Sequence, residues 1–163
     1  MKNTLNILFF LLIVAAPVTL YGNEPVNGKA EAGKIFDVAD QKFITEKTLV
    51  KRLATTRNIL IAIREDNPDH HRLAANIIDK IAGKGRAPAI LVSNIERSKQ
   101  NAFTIFTQRH RDRTKTYDAS GLDMLLGWSQ SGQPEWAIVR PVFDIAMIRR
   151  LPVTAVNFSR YEI

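Results

Sequence analysis

The chain has 163 residues, no cysteine and a net charge of +7, from 23 Lys and Arg against 16 Asp and Glu. That length suits one domain with a real hydrophobic core. The lack of cysteine excludes disulfides, thiolate metal sites and lipid attachment behind a leader. The basic balance points to an anionic partner: a phosphorylated surface, an acidic protein or a carboxylate ligand.

The first residues carry one positive charge, Lys2, and from Leu5 to Val14 the chain is almost wholly apolar, with no further charge before Glu24. This is the charged start and apolar core of a secretory leader. Residues 1–22 are predicted to be that leader, which sends the protein to the periplasm or cell envelope. The apolar core is shorter than the roughly 20 residues of a membrane span. Removing the leader leaves 141 residues and lowers the net charge to +6.

Residues 23–43 hold Pro25, Gly28 and Gly33 among charges and alanines. They read as a flexible lead-in with an edge strand over residues 34–38. Thr45 is placed to cap a helix through Leu49, Val50, Leu53 and Ala54. Residues 58–63 hold the continuous apolar run Ile59-Leu60-Ile61-Ala62-Ile63, as expected of a strand buried on both faces. The polar cluster Asp66-Asn67-Pro68-Asp69-His70-His71 follows. In it Asn67 suits the N-cap, Pro68 the first helical position and Asp69 the positive end of a helix. Leu73, Ala74, Ile77, Ile78 and Ile81 share one face of that helix. His70 falls within the stripe and His71 on its flank, and Gly83 suits a left-handed stop.

A strand over residues 88–92 comes next, then a helix over residues 97–108 with Phe103 and Phe106 on its apolar side. Residues 109–117 are charged and irregular. Ser120 can cap a short helix through Leu122, Leu125 and Leu126. A longer helix covers residues 135–149, and a last strand residues 151–158. Short apolar strands joined by helices predict an α/β fold, a mainly parallel sheet with helices on both faces. A domain ending on a buried-type strand is expected to be incomplete on one face, and the open readings are a homodimer or other partner that supplies the missing part, a truncated gene product, or marginal stability.

The chemistry-bearing residues have two readings each. His70 and His71 present neighbouring imidazoles, and a neutral imidazole is what a metal ion requires. The same rings could simply pack and cap the turn. Asp66 could orient an imidazole or, like Asn67, satisfy open N–H groups at the helix start. Glu65 could serve a hard metal or be a solvated charge. The basic run from Gln108 to Lys115 contains Arg109, Arg111 and Arg113, which can pair with carboxylates. His110 and Tyr117 within and beside it are both iron-ligand types, although a solvated loop is the plainer reading. Nucleic acid would use the same cations, but export argues against it. Trp128 and Trp136 could wall a pocket or belong to the core. No nucleophile elbow, phosphate-binding glycine loop or His-Glu-x-x-His is present, so an enzyme is not the first reading.

A strand, then Asp66-Asn67-Pro68-x-His70-His71, then a helix resembles the ChaN family of haem-binding uptake proteins, within the Tiki superfamily. Pro88-Ala89-Ile90-Leu91-Val92 resembles its second strand. Gly127-Trp128 and Trp136-Ala137-Ile138-Val139-Arg140-Pro141 resemble its Gly-Trp and Trp-x-x-Tyr-x-Pro segments. Leu151-Pro152-Val153-Thr154-Ala155-Val156-Asn157 with Arg160 resembles its Leu-Pro-Val-x-Ala-x-Asn-x-x-Arg strand. The resemblance covers residues 44–160, so a ChaN-like domain is expected over residues 44–163. Family members usually continue further, which implies that this is the first part of such a domain. The resemblance implies haem or iron as ligand, held by His70 and His71 with Asp66, Glu65, Asn67 and Arg160 nearby. If haem is the ligand, Arg109, Arg111 and Arg113 are the possible contacts for its propionates.

Where the family has Gly-Glu-x-His, this chain has Ala62, Ile63, Arg64 and Glu65. Where it has Phe-Glu-Met, this chain has Val92, Ser93 and Asn94, and the Tyr of Trp-x-x-Tyr is Val139. Acidic and imidazole groups are thus replaced at the strand ends. The leading expectation is an exported haem- or iron-binding protein with a partly degenerate site. A metal-dependent hydrolase of Tiki type and a non-binding fragment of the scaffold are the alternatives.

Overall fold

A computed structural model describes residues 33–158 of the chain. The chain divides into two units, Met1–Lys34 and Ile35–Ile163. The expected leader, the lead-in up to residue 32 and Arg160 lie outside the described residues. All of the described helices and strands belong to the second unit.

This unit opens with a hairpin of β1 (Ile35–Asp37) and β2 (Lys42–Ile44), paired antiparallel with Ile35 opposite Ile44. Its turn closes because Asp37 Oδ1 accepts from the backbone N–H of Ala39 and of Asp40, at 3.0 and 3.1 Å. The expected edge strand therefore has a partner in β2. Helix α1 (Glu46–Thr55) follows, with Thr45 Oγ1 accepting from Thr48 N–H at 3.2 Å, the cap that the sequence predicts.

Residues 58–63 are not a strand. Their apolar side chains signal burial, but a strand also needs a neighbour for its backbone, and no ladder forms here. Leu60 is 97% exposed. Just before the run, the Arg86 guanidinium donates to the carbonyls of Leu53 and Ala54, at 3.0 and 3.3 Å, and to those of Thr56 and Arg57.

Helix α2 (Pro68–Ala82) starts at Asn67, whose Oδ1 accepts from Asp69 N–H at 2.9 Å and His70 N–H at 3.4 Å. Its buried stripe is His71, Ala74, Ala75, Ile77 and Ile81, while Leu73 is exposed. The stripe is rotated from the expected one, so His71 faces inward more fully than His70. Neighbours set this rotation: α2 packs on α1 and on α5 (Trp136–Ile148). Arg149 Nε meets Asp79 Oδ1 at 2.7 Å beside the second contact. Gly83 at the end of α2 is right-handed with φ −63°, and the left-handed residue is Gly85, with φ 80°.

Strands β3 (Ile90–Glu96) and β4 (Val153–Asn157) pair in parallel, Ile90 opposite Val153 and Val92 opposite Ala155, with an irregularity before Glu96. Between them lie α3 (Gln100–Arg109), α4 (Leu122–Leu126) and α5. The fold is thus a small α/β fold. Its parallel part is these two strands, and the helical layer covers the face carrying Val153 and Ala155. On the opposite face Leu91 and Thr154 are exposed, so the expected second helical cover is absent among the described residues. The Gln100 amide serves β4 as a third strand would, donating to Val153 O at 3.1 Å and accepting from Ala155 N–H at 2.8 Å.

One apolar core joins α3, α4, α5 and the strand pair through Phe103, Phe106, Leu122, Val139, Phe143 and Ala155. Large buried side chains of this kind contribute about 1.5–3 kcal/mol each by leaving water. Trp128 and Trp136 belong to this packing: the rings lie 5.1 Å apart, and Trp128 Nε1 donates to Pro134 O at 2.8 Å.

Candidate functional site

At the start of α2 both imidazoles are engaged with the backbone that precedes the helix. Arg64 N–H donates to His70 Nδ1 at 3.0 Å. That nitrogen is an acceptor, so in the neutral ring the proton sits on Nε2. His71 Nε2 lies 3.0 Å from the carbonyl oxygen of Glu65. A carbonyl only accepts, so this nitrogen carries a hydrogen. Asp66 turns to the Arg64 guanidinium, at 3.2 and 3.4 Å, and that hydrogen bond holds its carboxyl below the usual carboxylate range. Glu65 and Asp66 are exposed, and His71 is 3% exposed. The two rings thus tie residues 64–65 to the helix. Among the described residues no group of three or more His, Asp or Glu is placed to share a metal ion.

A second cluster lies where the C-terminal ends of α3 and α5 meet the loop over residues 110–121. A cleft of about 380 Å³ opens there, with Phe106, Ala146, Met147 and Leu151 as apolar lining. His110 and Tyr117 also line it, with Arg111, Arg113 and Arg150. A neighbouring cleft of about 480 Å³ shares His110 and Tyr117. Arg111 and Arg113, named by the sequence, are therefore gathered at one cavity, whereas Arg109 is exposed at the end of α3 and does not line it. Arg150 comes from 37 residues beyond Arg113 in the chain, and no local pattern announces it.

His110 occupies the C-cap of α3, where the last carbonyls of a helix have no helical partner. Its Nδ1 stands 2.8 Å from the Phe106 carbonyl oxygen and satisfies it. The ring lies between Phe106 and Tyr117, with centroids 4.3 and 4.4 Å away.

The loop is pinned at several points. Asp112 Oδ1 accepts from Thr114 N–H at 2.9 Å and Thr114 Oγ1 at 2.6 Å, and these bonds hold the Asp112 carboxyl below its usual range. Asp118 is lowered in the same way by Ser120. Arg140 on α5 donates to Asp118 Oδ2 and Ser120 Oγ, both at 3.0 Å. Arg150 Nη2 donates to the carbonyls of Asp112 and Lys115, at 3.3 and 3.0 Å.

Arg150 is also left-handed, with φ 54°. It closes α5 in a Schellman motif: Leu151 N–H reaches Ala146 O at 2.8 Å and Arg150 N–H reaches Met147 O at 3.1 Å. Glycine is the usual residue there, and an L side chain is strained in this conformation. The same residue's guanidinium holds the loop.

A haem presents apolar faces, an iron that takes axial nitrogen or oxygen ligands, and two propionates. The cleft supplies apolar lining, an imidazole, a phenol and three guanidiniums. Among the described residues no carboxylate pairs with Arg111 or Arg113, which leaves both free to meet carboxylates. The residues present fit the group.

No curated protein and no solved structure matches the chain. Residues 49–163, more than half of it, match the family described as haem-binding uptake, Tiki superfamily, ChaN. With that match, the chain belongs to the ChaN family of haem-binding uptake proteins.

Proposed function

We propose that the protein binds haem in the cleft between the ends of α3 and α5, and that it does so outside the cytoplasm, delivered by the leader expected over residues 1–22. The observation that carries this reading is the convergence of His110, Tyr117 and three arginines on one partly apolar cavity in a chain of this family. Bound haem would supply the iron and the chromophore. Phe106, Ala146, Met147 and Leu151 would exclude water from its faces, Arg111, Arg113 and Arg150 would meet its propionates, and His110 and Tyr117 are the ligand-type residues at the cavity. His70 and His71 form the other imidazole pair, and their ring nitrogens already hold the start of α2. The hydrolase alternative lacks a group of three metal-ligand side chains among the described residues, and binding is the favoured reading.

An equilibrium titration with haem tests the proposal. Charge-assisted hydrogen bonds contribute about 1.5–3 kcal/mol each, so Arg111→Glu with Arg113→Glu is expected to weaken binding by at least about tenfold. Unchanged affinity in that double variant would remove the propionate assignment.

A further inference from the structure

We propose that His110 would hold the haem iron through Nε2, and that the Phe106 carbonyl is what prepares it. This rests on the reading of the cleft as a haem site and concerns which atom holds the iron.

The placement of lone pairs separates the chain's three histidines. His70 Nδ1 accepts from the Arg64 N–H, so ligation through Nε2 would require moving the proton to Nδ1 and breaking that bond. His71 donates from Nε2 to Glu65 O, which leaves Nδ1 as its lone-pair nitrogen in a residue 3% exposed. His110 is arranged the other way round. Its Nδ1 faces a carbonyl at 2.8 Å and must carry the proton. The lone pair of the neutral ring is therefore on Nε2, for which no hydrogen-bond partner is found among the described residues.

The surroundings suit a ligand. An imidazole whose Nδ1–H is held by a backbone carbonyl has its tautomer and ring plane fixed and its other nitrogen made more basic. Contact with Phe106 and Tyr117 restrains the ring further. The residue is half-buried and lines both clefts, so the ring is reached without opening the core. Tyr117 lies against the His110 ring in the same cleft, and the Tyr117→Phe variant separates its part from that of the imidazole.

The test uses ferric haem added to the full chain, read by the Soret and visible bands and by electron paramagnetic resonance. The variants are His110→Ala, His110→Gln, Tyr117→Phe and His70→Ala, with circular dichroism as the folding check. Gln can still donate to Phe106 O but offers no imidazole nitrogen, so it serves if the Ala variant fails to fold. The expected result is a wild-type spectrum kept by Tyr117→Phe and His70→Ala and lost by the folded His110 variants, with at least a tenfold loss of affinity. Added imidazole should restore the wild-type spectrum to His110→Ala, which a merely structural role would not allow. A folded His110 variant with an unchanged spectrum, or loss of the band in Tyr117→Phe or His70→Ala alone, would overturn the ligand assignment and leave the haem site standing. No saturable shift in the wild type would overturn both.

Discussion

Arg140 and Asp144, one turn apart on α5, form an ion pair in which Arg140 Nε stands 3.2 Å from both Asp144 oxygens. Each partner then reaches the loop that walls the clefts. Arg140 holds Asp118 and Ser120, and Asp144 Oδ1 accepts from Ala119 N–H at 2.9 Å. Ala119 is fully buried, so that N–H has no water to turn to. Asp144→Ala is expected to cost about 1–3 kcal/mol, the usual penalty for orphaning a buried donor. Urea unfolding measures it. Haem affinity should fall together with stability, because the same loop carries His110 and Tyr117.

Arg150 separates backbone strain from side-chain function. Arg150→Gly relieves a left-handed conformation that costs an L residue about 1–2 kcal/mol and removes the grip on Asp112 and Lys115. Arg150→Ala keeps the strain and loses the grip. The Gly variant should therefore be more stable than the Ala variant by about 1 kcal/mol, while both bind haem more weakly than wild type. Wild-type affinity in either variant would show that the guanidinium has no part in the site.

At the start of α2 the expectation is structural. Asn67→Ala removes an N-cap and should cost about 1 kcal/mol. His71→Ala removes a buried ring and its bond to Glu65 O, for about 1–3 kcal/mol. Denaturant midpoints should fall in both while the haem spectrum of the folded protein stays as in wild type. A changed spectrum in His71→Ala would return the ligand role to this helix.

Acid should loosen the loop. Asp112 and Asp118 are held below their usual range by hydrogen bonds from Thr114 and Ser120. A carboxyl lowered in the folded state stabilises above its unfolded value, about 3.9, and loses that contribution as pH falls towards the folded value. Little of this contribution should change from neutral down to about pH 5, and it should decline below about pH 4. Thermal unfolding across this range measures it. Asp118→Asn should start less stable and lose less on acidification.

Much of the fold was legible because its signals are local. Thr45 and Asn67 cap the helices expected of them, since a cap needs only its own side chain and the next few N–H groups. The strand expected over residues 58–63 failed because an apolar run reports burial but does not specify a hydrogen-bonding neighbour. The rotation of α2 that buries His71 was out of reach for a similar reason: it depends on packing against α5, which helical spacing does not reveal.

At the site, Arg111 and Arg113 were legible as cations able to pair with carboxylates, but not as neighbours of Arg150. That meeting is made by tertiary structure. His110 stood in a run that reads most simply as solvated loop. Its spacing of four from Phe106 at a helix end was the available signal, because residues four apart on a helix are neighbours.

The most direct measurement is amide chemical-shift mapping of the protein with gallium protoporphyrin, a diamagnetic stand-in for haem. Saturable shifts concentrated around Phe106, His110, Tyr117 and Arg150, with the start of α2 little changed, are the predicted result. Shifts centred on His70 and His71, or none from protein shown to be folded, would contradict a haem site in this cleft.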